Sequence, residues 1–146
     1  MVSASNSILI NVEPAKVLEV VSDYRKLRPR ILPPQYSAYR VIEGGQGQGT
    51  VAAWRLQATQ SRSREIQVSV DVAGHTVIEK DANSSLITNW TVSPAGPGCS
   101  VTMKTTWSGA DGIGGLFEKT FAPMGLGKIQ DEVLANLKKL VESGRL

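Results

Sequence analysis

The middle of the sequence, from Tyr36 to Trp107, is a succession of short segments in which apolar and polar residues alternate. The segment REIQVSVDV shows this most cleanly, with Ile66, Val68, Val70 and Val72 on one face. Alternation with a period of two is typical of strands with one buried face. Turn signals such as DANSS and SPAGPG recur at intervals of about ten residues, which marks an antiparallel meander. The middle region therefore predicts six strands joined by turns.

The two ends of the chain follow other patterns. SNSILINV predicts one more strand, and EPAKVLEVVSD then changes to a helical period with Pro14 at its start. The proline-rich RPRILPPQ is a connector with room for one more helical turn. From Gly115 to Ser143, apolar residues recur at helical intervals, which predicts a long C-terminal helix with a kink near Pro123. A sheet with one apolar face needs a partner layer, and only this helix is long enough. The sequence therefore predicts an α+β fold with seven antiparallel strands.

Length and composition fit a single domain over residues 1–146. The chain has 146 residues, of which 41% are hydrophobic and 20% are charged, an ordinary globular balance. Cys99 is the only cysteine, which excludes an intrachain disulfide and a cysteine zinc site. No stretch resembles a signal peptide or a transmembrane helix, so we expect a cytoplasmic protein with no membrane insertion.

The net charge of +3 comes in part from the basic stretch DYRKLRPR, which holds Arg25, Lys26, Arg28 and Arg30. We expect these side chains to form a solvated face beside a pocket mouth. A patch for nucleic acid, a membrane surface or a protein partner is the alternative. Aromatic residues are too sparse here to favour nucleic acid, so no nucleic-acid partner is predicted.

Several polar residues were weighed as candidates for catalysis or metal binding. His75 is the only histidine, and because it follows Gly74 at a turn, we expect it to be solvated. No G-x-S-x-G element occurs, so the sequence predicts no catalytic triad. Since a metal site would have only this one histidine beside carboxylates, no metal site is predicted, and no cofactor is predicted either. Asp71, Glu79 and Asp81 alternate along neighbouring strands. Because apolar residues define the opposite face, we expect these carboxylates to point to solvent, leaving no buried acid–base pair.

The stretch EGGQGQGTV is rich in glycine, which raises the alternative of a phosphate-binding loop. Such a loop needs a following Lys-Ser/Thr and a helix, whereas Thr50 and Val51 here begin a strand. The glycines therefore predict a turn between two strands, with backbone φ angles that are positive.

Three stretches together resemble the START/polyketide-cyclase-like superfamily (SRPBCC), whose fold is the helix-grip. They are PAKVLEVVSDY, EGGQGQGTV and the helix from Gly115 to Ser143. The resemblance implies a curved seven-stranded sheet wrapped around the C-terminal helix, with one or two short helices after the first strand. It also implies an apolar cavity between sheet and helix that binds lipids, hormones, polyketides or other hydrophobic molecules.

On this resemblance, one face of the strands and of the final helix would line the cavity. The candidate ligand-binding residues are Tyr39, Trp54, Leu56, Val68, Val70, Trp90, Met103, Trp107, Phe117, Phe121 and Met124. The alternative is that these side chains fill a solid core. If the face assignment slips by one residue, Arg55 and Asn89 would point inward instead.

Two functions follow from the resemblance. The first is an intracellular binding protein for a hydrophobic small molecule or lipid, held mainly by burial of apolar surface. The alternative is an aromatic polyketide cyclase or dehydratase that uses the same cavity, and a buried acid–base pair would favour it. No pattern in the sequence indicates the oligomeric state or the identity of the ligand.

Overall fold

A computed structural model of the chain describes residues 2–59, 62–108 and 123–144. The strands are β1 (Val2–Ile10), β2 (Tyr36–Glu43), β3 (Val51–Thr59), β4 (Arg62–Ala73), β5 (Thr76–Asp81), β6 (Ile87–Ala95) and β7 (Gly98–Trp107). The helical elements of these residues are α1 (Pro14–Ser22), a 3-10 turn (Arg28–Ile31) and α2 (Pro123–Ser143). Within the described ranges, no helix combines the length and the apolar character needed to cross a membrane.

The seven strands form one antiparallel sheet in the order β1-β7-β6-β5-β4-β3-β2. Strands β2 to β7 form a meander, because each strand pairs with the one that follows it in the sequence. β1 pairs with β7, so the two edge strands of the sheet are β1 and β2. This architecture, with a short helix after β1 and a long one at the end, confirms the predicted helix-grip fold.

Helix α2 packs mainly along β1, and also against α1 and the 3-10 turn. Its buried side chains recur at helical intervals and are Leu126, Ile129, Gln130, Val133, Leu134, Leu137 and Val141. The predicted helix from Gly115 to Ser143 is thus confirmed over residues 123–143, and residues 115–122 lie outside the described residues. Pro123 is the first residue of α2, a position where a missing backbone N–H costs no helical hydrogen bond.

A buried glutamine fixes the position of α2 on the sheet. The Gln130 amide nitrogen donates to the Ala4 carbonyl and to the Thr105 hydroxyl, each at 3.1 Å. Its amide oxygen accepts from the Asn6 side chain at 3.1 Å, and Asn6 also donates to the Gly127 carbonyl at 2.9 Å. Sliding α2 along β1 would break these bonds and leave buried polar groups unpaired, so they define the register of helix on sheet.

The glycine-rich stretch is the turn between β2 and β3, as predicted. Four glycines of this loop have a positive φ angle, namely Gly44 (66°), Gly45 (137°), Gly47 (60°) and Gly49 (87°). The loop is bonded to the end of α1, because the Tyr24 N–H donates to the Gly45 carbonyl at 2.8 Å. The Gly47 N–H likewise donates to the Ser22 carbonyl at 2.9 Å. The glycines therefore serve the backbone path of the loop.

Replacing Gly49 by alanine should lower the free energy of unfolding by about 1–3 kcal/mol. An added Cβ would meet no atom of the described residues within 4 Å, so the expected cost comes from the φ of +87°. Gly125→Ala is the matched control, because Gly125 lies inside α2 with no described atom within 4 Å of an added Cβ, and alanine favours helix there. Denaturant unfolding should show opposite signs for the two variants. Equal effects would contradict the backbone assignment of the loop.

Candidate functional site

A charged pair lies buried in the interior beneath the sheet. The Arg28 and Glu79 side chains are each 4% exposed, with Arg28 Nη2 at 2.6 Å from Glu79 Oε2. The Tyr24 hydroxyl donates to the same oxygen at 2.5 Å, and the Trp90 indole N–H donates to the other carboxylate oxygen at 3.3 Å. Arg28 Nη1 donates to the Val21 carbonyl at 2.7 Å. The carboxylate therefore accepts three side-chain hydrogen bonds away from bulk water.

Two aromatic rings also contact the Arg28 guanidinium. Its central carbon lies 4.8 Å from the centroid of the Tyr24 ring and 4.5 Å from that of the Trp90 ring. A cation over an aromatic face is attracted by the ring quadrupole, and the attraction is stronger when water is excluded. Tyr24 and Trp90 thus stabilise both charges of the pair. Their hydroxyl and indole N–H groups donate to the Glu79 carboxylate, and their rings contact the Arg28 guanidinium.

Three residues in and beside the cluster, Tyr24, Arg28 and Tyr39, have a raised pKa. Burial raises the pKa of Tyr24 well above its ordinary value, and the adjacent Glu79 carboxylate raises it further. Burial alone would lower the pKa of Arg28, but the Glu79 carboxylate and the neighbouring Tyr24 and Tyr39 together outweigh burial, so the pKa is raised. Burial also raises the pKa of Tyr39 to about 12, and its hydroxyl donates to the Tyr24 carbonyl at 2.6 Å. Arg28 therefore stays charged and both phenols stay neutral at physiological pH.

The protein should lose stability as the pH rises above about 10, in part through Tyr24. Above its ordinary pKa of 10.0 the phenol ionises in the unfolded chain but remains protonated in the fold. The free energy of unfolding then falls by up to about 1.4 kcal/mol per pH unit for such a group. Denaturant unfolding at several values above about pH 10 should show a shallower decline for Tyr24→Phe than for the parent. Parallel declines would contradict the raised pKa.

The burial of Glu79 and Asp81 corrects the prediction that these carboxylates point to solvent. They are 4% and 8% exposed, whereas Asp71 is exposed as predicted. β5 is short and has an apolar residue on each face, Val77 and Ile78, so alternation could not decide which face is buried. The buried ion pair of Glu79 with Arg28 was therefore not predicted.

The basic stretch is also only partly solvated. Arg25, Lys26 and Arg30 are exposed as expected, but Arg28 is buried, which corrects the prediction for that residue. No local pattern marks Arg28, because its partner Glu79 lies 51 positions further along the chain. His75 is exposed at the turn between β4 and β5, as predicted.

A small, partly enclosed cavity of about 30 Å³ adjoins the charged pair. Its described lining residues are Arg28, Tyr36, Trp54, Leu56, Ile66, Glu79, Leu86, Thr88, Met103, Thr105, Leu126 and Gln130. The lining combines large apolar side chains with a few polar groups, which is the usual composition of small-molecule sites. The volume in this state holds about one water molecule, whereas ligand pockets usually measure about 300–1,000 Å³.

Three of the predicted ligand-binding residues, Trp54, Leu56 and Met103, lie on this cavity. Tyr39 is next to it, since its ring stacks on that of Trp54 with centroids 6.0 Å apart and planes 11° from parallel. The other predicted strand residues are buried in the surrounding core and are Val68, Val70, Trp90 and Trp107. The alternative inward placement of Arg55 does not occur, because that side chain is 53% exposed.

None of the three predicted ligand-binding residues of the C-terminal helix is found on the cavity among the described residues. Met124 is 78% exposed, which corrects its expected place in the interior. It precedes the buried Leu126 by two residues, and this spacing puts it roughly 200° away around the helix. Phe117 and Phe121 lie outside the residues that the structure describes.

Two residues that line the cavity each have a buried donor without a hydrogen-bond acceptor among the described residues. They are Nε of Arg28 and Nε1 of Trp54, on side chains that are 4% and 7% exposed. Buried polar groups in proteins are nearly always paired, so such atoms mark a place where an acceptor from outside the protein would be favourable. Among the described residues, no group of three or more His, Cys, Asp or Glu side chains is arranged to hold a metal ion.

Comparison with known proteins gives the family. A family model described as polyketide cyclase / dehydrase and lipid transport matches residues 1–142. Among solved structures, KanY protein (ms6282) is 67% identical, with a TM-score of 0.89 and 97% of each chain covered.

Two more distant structures share the fold. They are TTHA0849 from Thermus thermophilus (14% identity, TM-score 0.77, covering 99% of this chain and 100% of that one) and norcoclaurine synthase from Thalictrum flavum. The latter, in complex with dopamine and hydroxybenzaldehyde, has 16% identity and a TM-score of 0.71, covering 99% of this chain and 88% of that one. No curated protein matches the sequence. The chain belongs to the polyketide cyclase / dehydrase and lipid transport family, within the SRPBCC superfamily.

Proposed function

We propose that the protein binds a hydrophobic small molecule or lipid in the interior between the sheet and α2. The observation that carries this proposal is the cavity, whose wall includes Leu56, Ile66, Leu86, Met103 and Leu126 beside a few fixed polar groups. Burial of apolar ligand surface against such a wall contributes about 25 cal/mol per Å². The family match supports the same function, since its description includes lipid transport.

Binding requires the cavity to expand, because about 30 Å³ is far below the volume of an organic ligand. The side chains best suited to move are Met103 and Leu126, which are flexible and line the cavity from the sheet and from α2. The polar groups are less free to move, since Gln130, Arg28 and Glu79 are held by hydrogen bonds. We infer that the apolar part of the wall adapts to the ligand while the polar part stays in place.

Titration with the neutral dye N-phenyl-1-naphthylamine tests the proposal, and the parent should bind it saturably. Met103→Phe should weaken the dye by about tenfold or more, because the rigid ring adds bulk where the cavity lies. The free energy of unfolding should change by about 1–3 kcal/mol at most. Leu137→Met is the control, since it conserves volume in the core at a residue outside the described cavity lining. No saturable binding by the parent, or equal binding by both variants, would contradict the proposal.

A second candidate function is that of an aromatic polyketide cyclase or dehydratase using the same cavity. The buried Arg28–Glu79 pair on the cavity wall favours it, since charged groups there could polarise a substrate carbonyl. Against a role as general base, the Glu79 carboxylate already accepts three hydrogen bonds. Incubation with a linear poly-β-ketone analogue would separate the two functions. An enzyme gives a cyclised product lighter by one water molecule, made by the parent and not by Met103→Phe, whereas a binding protein returns the analogue unchanged.

A further inference from the structure

We propose that the cavity contains a subsite for a neutral carbonyl oxygen, formed by the Arg28 Nε–H and the Trp54 Nε1–H. This inference rests on the proposed function and specifies the polar group of the ligand, namely a ketone, ester or amide. It distinguishes such ligands from pure hydrocarbons and from free fatty or aromatic acids, which would fill the same apolar space.

The subsite rests on two donors that share one cavity. Arg28 and Trp54 both line it, both are more than nine-tenths buried, and each has a ring or guanidinium N–H without an acceptor among the described residues. Other donors of the same groups are satisfied, because Arg28 Nη1 and Nη2 bond to the Val21 carbonyl and to Glu79. A buried donor without a partner costs free energy. A ligand acceptor that bonds to these donors therefore gains more binding free energy than an acceptor placed elsewhere in the core.

The local charges favour a neutral acceptor over an anion. The positive charge of Arg28 is already balanced by Glu79 at 2.6 Å, and the remaining described lining residues carry no charge. A bound carboxylate would therefore add a buried negative charge without a counter-charge, next to the Glu79 carboxylate. A carbonyl oxygen accepts the same hydrogen bonds without this cost.

An oxygen acceptor could also come from a water molecule, since the cavity has room for about one. A water and a ligand carbonyl have the same acceptor chemistry but different consequences for selectivity. If only water uses the two donors, a ligand carbonyl gains nothing from them. If the carbonyl uses them, removing one donor penalises ketones selectively.

The test uses three probes of similar shape, 2-acetylnaphthalene, 2-ethylnaphthalene and 2-naphthoate, which compete with N-phenyl-1-naphthylamine for the full chain. Trp54→Phe removes the indole donor and keeps an aromatic ring for the stack with Tyr39. It should lower the affinity ratio of ketone to hydrocarbon by about tenfold, the worth of one strong neutral hydrogen bond. Trp107→Phe changes a buried tryptophan outside the described cavity lining and should leave the ratio unchanged.

The carbonyl stretch of 2-acetylnaphthalene bound to the parent gives a second readout that needs no variant. It should shift to lower frequency than in a hydrocarbon solvent, as expected for a carbonyl that accepts hydrogen bonds. An unshifted stretch, a ratio that Trp54→Phe leaves unchanged, or tighter binding of 2-naphthoate than of the ketone would each overturn the subsite, while ligand binding itself would stand. Failure of all three probes to bind would overturn the proposed function together with the subsite.

Discussion

Glu79→Gln should lower the free energy of unfolding by about 3–5 kcal/mol, although the substitution keeps the shape of the side chain. It removes the charge that balances Arg28, and a buried guanidinium without a counter-charge is strongly unfavourable. The chain offers a matched control in the exposed ion pair of Arg55 with Glu65, whose side chains are 53% and 50% exposed. Glu65→Gln should cost about 0–1 kcal/mol, because exposed ion pairs contribute little. Denaturant unfolding of both variants measures the difference.

The double variant Arg28→Met with Glu79→Gln separates loss of charge balance from general disruption of the core. It should be more stable than Glu79→Gln alone, since no unbalanced buried charge remains. If Glu79→Gln cost no more than Glu65→Gln, the arrangement of Arg28 and Glu79 described for the interior would be wrong.

The second large effect is expected from Trp90→Ala, which should cost about 3–5 kcal/mol. Trp90 is 1% exposed on β6, an inner strand of the sheet, and truncation would leave a void in the core. It would also remove a ring from the Arg28 guanidinium and a donor from Glu79. Trp90→Phe is the control, because it keeps an aromatic ring and loses only the 3.3 Å hydrogen bond and part of the ring volume, so its cost should be clearly smaller. Equal costs measured by denaturant unfolding would show that the ring does not support the charged pair.

The fold was predictable because its signals are local. The alternation of Ile66, Val68 and Val70 gives the buried face of β4, and the turn signals between strands give the meander. The buried stripe of α2 follows from helical spacing in the same way. Face assignment failed in β5, whose two apolar residues lie on opposite faces. It also failed at Val72 near the end of β4, which is 37% exposed although it continues the apolar alternation.

The site was predictable only in its apolar part. Trp54 and Met103 follow from strand period, and the structure places both on the cavity. The charged pair was missed because it depends on a contact between residues 51 positions apart, and no local period records such a contact. The prediction for Met124 was wrong because it relied on the apolar side chain. It did not consider that Met124 lies on the opposite side of the helix from the buried Leu126.

Mass spectrometry of organic extracts from the purified full chain tests ligand binding most directly. The Met103→Phe variant, purified in parallel, is the reference, because its cavity is filled while its surface is unchanged. We expect one defined apolar molecule in near-stoichiometric amount in the parent extract and much less in the variant extract. An equal amount of every small molecule in the two extracts, together with no dye binding by the parent, would contradict it.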